Sequence, residues 1–174
     1  KITQQALENK LKTAAAVGVH NIQKGMLSLT NLTETGTRYS VAEIATLAGI
    51  ARAHDLPVHL DGARFANALV AEGCTPADMT WRAGVDVVSF GGTKNGLMGV
   101  EAVVIFDPAK AWEFELRRKR GGHLVSKHRF LSAQMEAWLE GDLWLSLARH
   151  ANAMAARLEA GLASLPATSL LHPR

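Results

Sequence analysis

Apolar and polar positions repeat with two different periods along the middle of the chain. Alternating or continuous apolar runs predict four strands, at 26–30, 58–60, 85–90 and 102–106. Apolar residues at helical spacing predict helices, at 3–13, 41–54, 63–72 and 108–120. Because strands and helices alternate from 26 to 106, we predict an α/β fold with a mostly parallel sheet and helices on both faces.

The remainder of the chain is predicted to be a helical C-terminal tail. Two helices, at about 126–140 and 142–164, are separated by Gly141. The last five residues, Leu170 to Arg174, read as a strand that is cut short. Because the first residue is Lys1 rather than Met and the last run reads as an interrupted strand, we expect sequence to be missing on both sides.

Composition excludes several classes of protein. A length of 174 residues with 48% hydrophobic and 20% charged residues fits one ordinary globular domain. The net charge of +3 is weak, and the basic run at 117–120 is typical of a solvated helix face, so nucleic-acid binding is not expected. Cys74 is the single cysteine, so no internal disulfide forms. No apolar run has the length of a membrane span, and we expect a cytoplasmic protein.

Polar segments follow three of the predicted strands. They are the loop around Glu34, the segment from Asp61 to Arg64, and the glycine-rich loop from Gly91 to Gly96. Ligands of parallel α/β sheets bind beyond the carboxyl ends of the strands. We therefore expect these three segments to meet at one edge of the sheet and to form the site.

Two of the side chains in these segments suggest chemistry, each with a structural alternative. Lys94 lies between glycines that allow a close backbone approach, and its amine is a usable nucleophile; alternatively it is a solvated loop lysine. Asp61 requires a cationic partner if it is buried, for which a protonated ring nitrogen is suitable. Alternatively, Asp61 pairs with Arg64 or caps the following helix.

Three neighbouring residues remain open to two interpretations. Arg64 can bind a carboxylate in bidentate fashion or form a salt bridge with Asp61. His59 shares a strand face with Asp61, although a lone histidine on a strand is more often a hydrogen-bonded structural group. Glu34 serves equally well as a site residue or as a scaffold for its loop.

Five segments together resemble a known family. Residues 59–68, HLDGARFANA, resemble a motif of the threonine aldolases, which belong to the β-eliminating lyases among the fold-type I pyridoxal-phosphate (PLP) enzymes. Residues 89–96, SFGGTKNG, resemble the lysine segment of the bacterial low-specificity branch. The runs at 27–30 and 33–36, LSLT and TETG, and that at 126–134, SKHRFLSAQ, are similar to further segments of the family.

The resemblance implies a role for each matching residue. Lys94 would form the covalent link to PLP, and Asp61 would hold its pyridine nitrogen. Arg64 would contact the substrate carboxylate or the ring hydroxyl side, and Thr93 would help to hold the cofactor. Lys127 would reach the cofactor phosphate of a neighbouring subunit. The implied division is a partial PLP-binding large domain at 1–140, followed at 141–174 by a linker helix and the start of a truncated small domain.

The implied activity is retro-aldol cleavage of L-threonine or L-allo-threonine to glycine and acetaldehyde, in a homodimer or homotetramer. The family's phosphate-binding loop, its ring-stacking histidine and the base for the hydroxyl proton would lie upstream of residue 1. We therefore expect these 174 residues alone to lack a complete site. Two alternatives stay open: another fold-type I lyase or aminotransferase, and a non-catalytic remnant of such an enzyme.

Overall fold

The computed structural model describes residues 1–14 and 19–172 and contains one four-stranded sheet. The strands, in spatial as well as chain order, are β1 (Leu27–Thr30), β2 (Val58–Gly62), β3 (Val87–Gly91) and β4 (Glu101–Ile105). β1, β2 and β3 are parallel, whereas β4 pairs antiparallel with β3. Helices surround the sheet: α1 (Gln4–Thr13), α2 (Val41–Arg52), α3 (Phe65–Glu72), α4 (Pro76–Met79), α5 (Ala111–Arg120), α6 (Arg129–Leu139) and α7 (Leu143–Ala163). The predicted α/β class and mostly parallel sheet are confirmed.

The two faces of the sheet differ in burial because side chains alternate along each strand. Leu29, Leu60 and Val88 are almost inaccessible to solvent and form the centre of the core. Helix α2 lies against this face and buries a stripe that includes Ile44, with a helical spacing of three or four residues. The opposite face is only partly covered and carries polar side chains.

Helix ends follow the capping signals in the sequence. Ser40 accepts a hydrogen bond from the backbone N–H of Glu43, and the Glu43 carboxylate accepts one from the N–H of Ser40. This capping box fixes the start of α2, as predicted. At the C-terminus of helix α3, Gly73 has a φ of +69°, a left-handed conformation that favours glycine.

Helix α3 and the predicted C-terminal strand differ from their predictions in the structure. Helix α3 begins at Phe65 rather than at 63, because the Asp61 carboxylate accepts the N–H of Ala63 in a turn before the helix. The strand predicted from residue 170 is wrong for Leu170 to His172, which are exposed and form no ladder. A strand exists only through pairing with a neighbour. Residues 173 and 174 lie outside the described residues.

The helical tail packs back onto the sheet domain. Trp138 near the end of α6 and Trp144 near the start of α7 both contact Phe90 of β3, with ring centroids 5.2 and 5.5 Å apart. The turn between the two helices includes Gly141 at a φ of +58°. The division of the chain into domains at this turn stays a prediction. No helix within the described residues is long and apolar enough to cross a membrane.

A histidine links three strands on the partly covered face of the sheet. His59 of β2 hydrogen-bonds to the hydroxyl of Ser28 in β1 through Nδ1 and to that of Ser89 in β3 through Nε2, both at 2.8 Å. Both ring nitrogens therefore have partners, so the structural interpretation of His59 accounts for its position. The three side chains hold together the strands that end at the cavity described below.

Gly91 is expected to be intolerant of any side chain. A Cβ at this position would lie 2.6 Å from the Cα of Ala63, which is backbone and cannot rotate away. Gly91→Ala should therefore lower the unfolding free energy by about 2 kcal/mol. The matched control is Gly49→Ala on the exposed face of helix α2, where a Cβ meets nothing within 4 Å. That change should raise stability by about 0.5–1 kcal/mol. Equal effects of the two substitutions in urea denaturation would contradict this packing.

The histidine link between strands is expected to contribute measurably to stability. His59→Leu leaves the part-buried hydroxyl of Ser89 and the exposed hydroxyl of Ser28 without their partner. It should therefore lower the unfolding free energy by about 1 kcal/mol. The exposed His54 supplies the control, because His54→Leu should change stability by less than about 0.5 kcal/mol. Thermal unfolding of both variants measures the difference. A stability of His59→Leu equal to that of the control would show that the link is energetically neutral.

Candidate active site

A cavity of about 420 Å³ opens at the carboxyl ends of the three parallel strands. Twelve residues line it, and they come from the N-terminal segment, from β1 and β2 themselves and from the segments that follow β1, β2 and β3. They are Lys1, Ile2, Ser28, Thr30, Thr33, Glu34, Thr35, Tyr39, Asp61, Ala63, Arg64 and Lys94. Asp61, Arg64 and Lys94 therefore share one cavity, together with Glu34. The parallel direction of the strands is what brings these segments to one edge.

Asp61 is held in a fixed orientation by its own backbone. It lies near the end of β2, opposite Thr30 of β1 and Ser89 of β3. Its Oδ1 accepts a hydrogen bond of 3.0 Å from the N–H of Ala63. Within residues 1–14 and 19–172, its other oxygen has no hydrogen-bond partner and the carboxylate forms no salt bridge with Arg64. One carboxylate oxygen is thus directed by the turn, and the second remains available to a cationic N–H group.

Arg64 immediately precedes helix α3 and is half-buried. Its guanidinium forms no ion pair with any carboxylate in the described part of the chain. An unpaired guanidinium beside a cavity is suited to bidentate binding of a carboxylate or phosphate.

Lys94 occupies the middle of a short 3-10 turn, Thr93–Asn95, that follows β3. The backbone before this turn passes very close to the segment after β2, because Gly91 lies against Ala63. Gly92 is similarly confined: a Cβ there would lie 2.5 Å from Leu97 Cδ1 and 2.9 Å from the Val100 carbonyl. These close approaches place the lysine turn directly beside the Asp61 segment.

The loop that carries Glu34 is closed by a buried asparagine. Asn31 is fully buried, and its side chain accepts from the N–H of Tyr39 and donates to the carbonyl of Tyr39, both at 3.1 Å. Tyr39 directs its hydroxyl to the cavity, where it accepts from the N–H of Ile2. Burial raises the pKa of the Tyr39 phenol, so this hydroxyl stays neutral at physiological pH.

Two of the predicted site residues lie outside the cavity. Thr93 donates its N–H to Glu101 Oε1 at 3.1 Å, and its hydroxyl lies 3.5 Å from the carbonyl oxygen of Val100, so it faces β4. Lys127 is exposed in the turn before α6, with a φ of +58°. Their roles in cofactor binding stay predictions.

Several cavity residues were not identified from the sequence. Ser28 and Thr30 of β1 contribute to the cavity wall, as does Tyr39. A signal for the first two was present, because they alternate on the strand as His59 and Asp61 do. The position of Ser28 and Thr30 in the cavity wall depends on the strand register, which pairs Ser28 with His59 and Thr30 with Asp61. Tyr39 had no such signal, since it reaches the cavity only through the closed loop.

Comparison with solved structures shows that a threonine aldolase has a similar fold. The structure of the Leishmania major threonine aldolase superposes with a TM-score of 0.86 at 31% sequence identity. The match covers 94% of this chain and 47% of that chain.

Sequence comparison gives the same result. The low specificity L-threonine aldolases of a Pseudomonas species and of Pseudomonas aeruginosa are 41% and 42% identical to this chain over 155 residues. Each match covers 89% of this chain and 45% of the relative, so the chain spans less than half the length of either relative. Residues 1–173 match the beta-eliminating lyases as a family. The resemblance seen in the motifs is confirmed, and the chain belongs to the beta-eliminating lyase family.

Proposed function

We propose that this chain supplies the cofactor-holding part of a PLP-dependent aldolase that cleaves L-threonine or L-allo-threonine to glycine and acetaldehyde. The observation that carries the proposal is the placement of Asp61 and Lys94 in one cavity of about 420 Å³. The choice of substrate rests on the relatives named above, since both Pseudomonas proteins are low specificity L-threonine aldolases.

The residues of the cavity fit PLP in chemistry and in space. The volume lies within the range of about 300–1,000 Å³ that is usual for cofactor and small-molecule sites. The cavity offers a primary amine at Lys94 for the cofactor aldehyde. It also offers a carboxylate oxygen at Asp61 without a protein partner, suited to a protonated ring nitrogen, and a guanidinium at Arg64 without a salt bridge. When bound, PLP supplies a ring that accepts the electron pair of the breaking carbon–carbon bond.

Each side chain then has a distinct task. Lys94 would hold the cofactor covalently through its side-chain amine. Asp61, oriented by the N–H of Ala63, keeps a proton on the ring nitrogen. Arg64 binds the substrate carboxylate and so fixes which bond at Cα is aligned for cleavage.

Two further roles and the assembly belong to the proposal. Thr93 helps to hold the cofactor through the turn it begins, and Lys127 contacts the cofactor phosphate of a neighbouring subunit. The exposed position of Lys127 on a turn is compatible with contact to a second copy. We propose a homodimer or homotetramer that acts on a small amino acid in the cytoplasm. The single cysteine, Cys74, fits a reducing compartment.

The first prediction concerns the lysine. The chain mixed with PLP should show the visible absorbance band of a lysine-bound cofactor. Lys94→Ala should abolish it, because Lys1, which also lines the cavity, is ion-paired with Glu43 at 2.6 Å. The exposed Lys119 of α5 supplies the control, and Lys119→Ala should retain the band. Borohydride reduction and peptide mass mapping identify the modified lysine. Persistence of the same band in Lys94→Ala would show that the cofactor lysine is a different residue.

The second prediction concerns the reaction and Asp61. A hybrid, in which residues 1–173 replace the matching part of the Pseudomonas aeruginosa relative, should convert L-threonine or L-allo-threonine to glycine and acetaldehyde. In this hybrid, Asp61→Asn should lower kcat by about a hundredfold or more, because the neutral amide no longer stabilises charge on the ring nitrogen. The lysine-bound band should remain.

Product analysis separates the alternatives. Acetaldehyde, trapped enzymatically with NADH, supports the aldolase. Formation of pyruvate or an oxo acid instead would indicate a different lyase or an aminotransferase. A hybrid that binds PLP at Lys94 and forms none of these products would favour a non-catalytic remnant.

A further inference from the structure

The residue after Lys94 is buried and bonded to two helices, while Lys94 faces the cavity. Asn95 is 9% exposed. Its Nδ2 donates to the carbonyl oxygen of Trp144 at 2.9 Å, and its own carbonyl oxygen accepts from Trp138 Nε1 at 2.8 Å. The lysine turn is therefore attached both to the last turn of α6 and to the first turn of α7.

The geometry of the turn connects these bonds to the direction of Lys94. Residues 93–95 form a 3-10 turn, in which successive side chains point about 120° apart. Thr93 faces β4, and Asn95 faces the helices. The remaining direction belongs to Lys94 and leads into the cavity. Any rotation of the turn about its axis would break the bonds of Asn95 and turn the amine away from Asp61.

The anchor itself is rigid because it lies in an aromatic cluster. Trp138 is 1% exposed and lies between Phe90 and Trp144, with ring centroids 5.2 and 5.8 Å away. The indole Nε1 is a donor only, and a buried donor without a partner is costly. Asn95 provides that partner, so the ring and the lysine turn hold each other in place.

The turn is also closed from its other side. The N–H groups of Asn95 and Leu97 both donate to the carbonyl of Gly92, at 3.0 and 3.1 Å. Gly96, at a φ of +105°, then passes so close to α7 that a Cβ would lie 3.1 Å from Leu147 Cδ1. Asn95 thus adds two anchors to a tight backbone arrangement, one from its carbonyl oxygen to α6 and one from its side chain to α7.

We propose that Asn95, together with Trp138, is a positioning residue that aims the Lys94 amine into the cavity. The expected consequence, tighter covalent binding of PLP, rests on the proposed function. The fixing of the turn by Asn95 and Trp138 does not depend on PLP. Asn95 acts through Lys94 and does not itself line the cavity.

The test compares two variants of the anchor with one matched control. Asn95→Ala removes the bond to Trp144, and Trp138→Phe removes the indole donor while it keeps an aromatic ring. The control is Asn67→Ala, because Asn67 also joins a helix to α7, through reciprocal bonds of 3.0 Å with Asn152. Loss of either asparagine weakens packing on α7, but only Asn95 adjoins Lys94.

The first measurement needs no cofactor. Amide hydrogen exchange of residues 92–97 should become at least about fivefold faster in Asn95→Ala and in Trp138→Phe, because local opening becomes easier. In Asn67→Ala the exchange of this segment should match that of the unmodified chain. Unchanged exchange in both anchor variants would overturn the proposal, and so would an equal increase in Asn67→Ala.

The second measurement uses PLP. The concentration that half-saturates the lysine-bound band should rise about tenfold in each anchor variant and less than about twofold in Asn67→Ala. Equal shifts in all three variants would indicate general destabilisation and overturn the positioning role. If the unmodified chain and Lys94→Ala both lack the band, the proposed function fails, whereas the exchange rates still decide whether Asn95 fixes the turn.

Discussion

The parallel pairing of β2 with β3 is the constraint on which the site depends. This pairing sets Asp61 opposite Ser89, and two residues later the backbone at Gly91 crosses against Ala63 with no room for a side chain. Because the two strands run in the same direction, the segments after both of them emerge at the same edge. A carboxylate and an amine that are 33 positions apart in the chain thereby line a single cavity.

Hydrogen bonds on the polar face of the sheet stabilise the register of the three parallel strands. His59 joins β1 and β3 across β2 through two serine hydroxyls, one level beneath Asp61. Hydrogen bonds between side chains of neighbouring strands restrict sliding of one strand past another. A one-residue slip would move Asp61 to the opposite face of the sheet, so the register has chemical as well as structural importance.

The helical tail contributes to the site although it does not line the cavity. Trp138 and Trp144 pack against Phe90 of β3. Both tryptophans also form hydrogen bonds with Asn95 of the lysine turn. Adjacent residues of one short turn thus serve two purposes, since Lys94 projects into the cavity and Asn95 into the helices. This division explains why the turn is both tightly packed and chemically accessible.

The α/β class, the positions of most elements and the meeting of Asp61, Arg64 and Lys94 at one edge of the sheet were predictable from the sequence. Hydrophobic periodicity, capping boxes and turn glycines act over a few residues, so they are visible in the chain itself. The antiparallel direction of β4, the partners of His59, the placement of Tyr39 and the outward direction of Thr93 were not predictable. They depend on contacts between residues far apart in sequence. Local patterns determined which segments form strands and helices, whereas only tertiary packing decided which side chains face the same cavity.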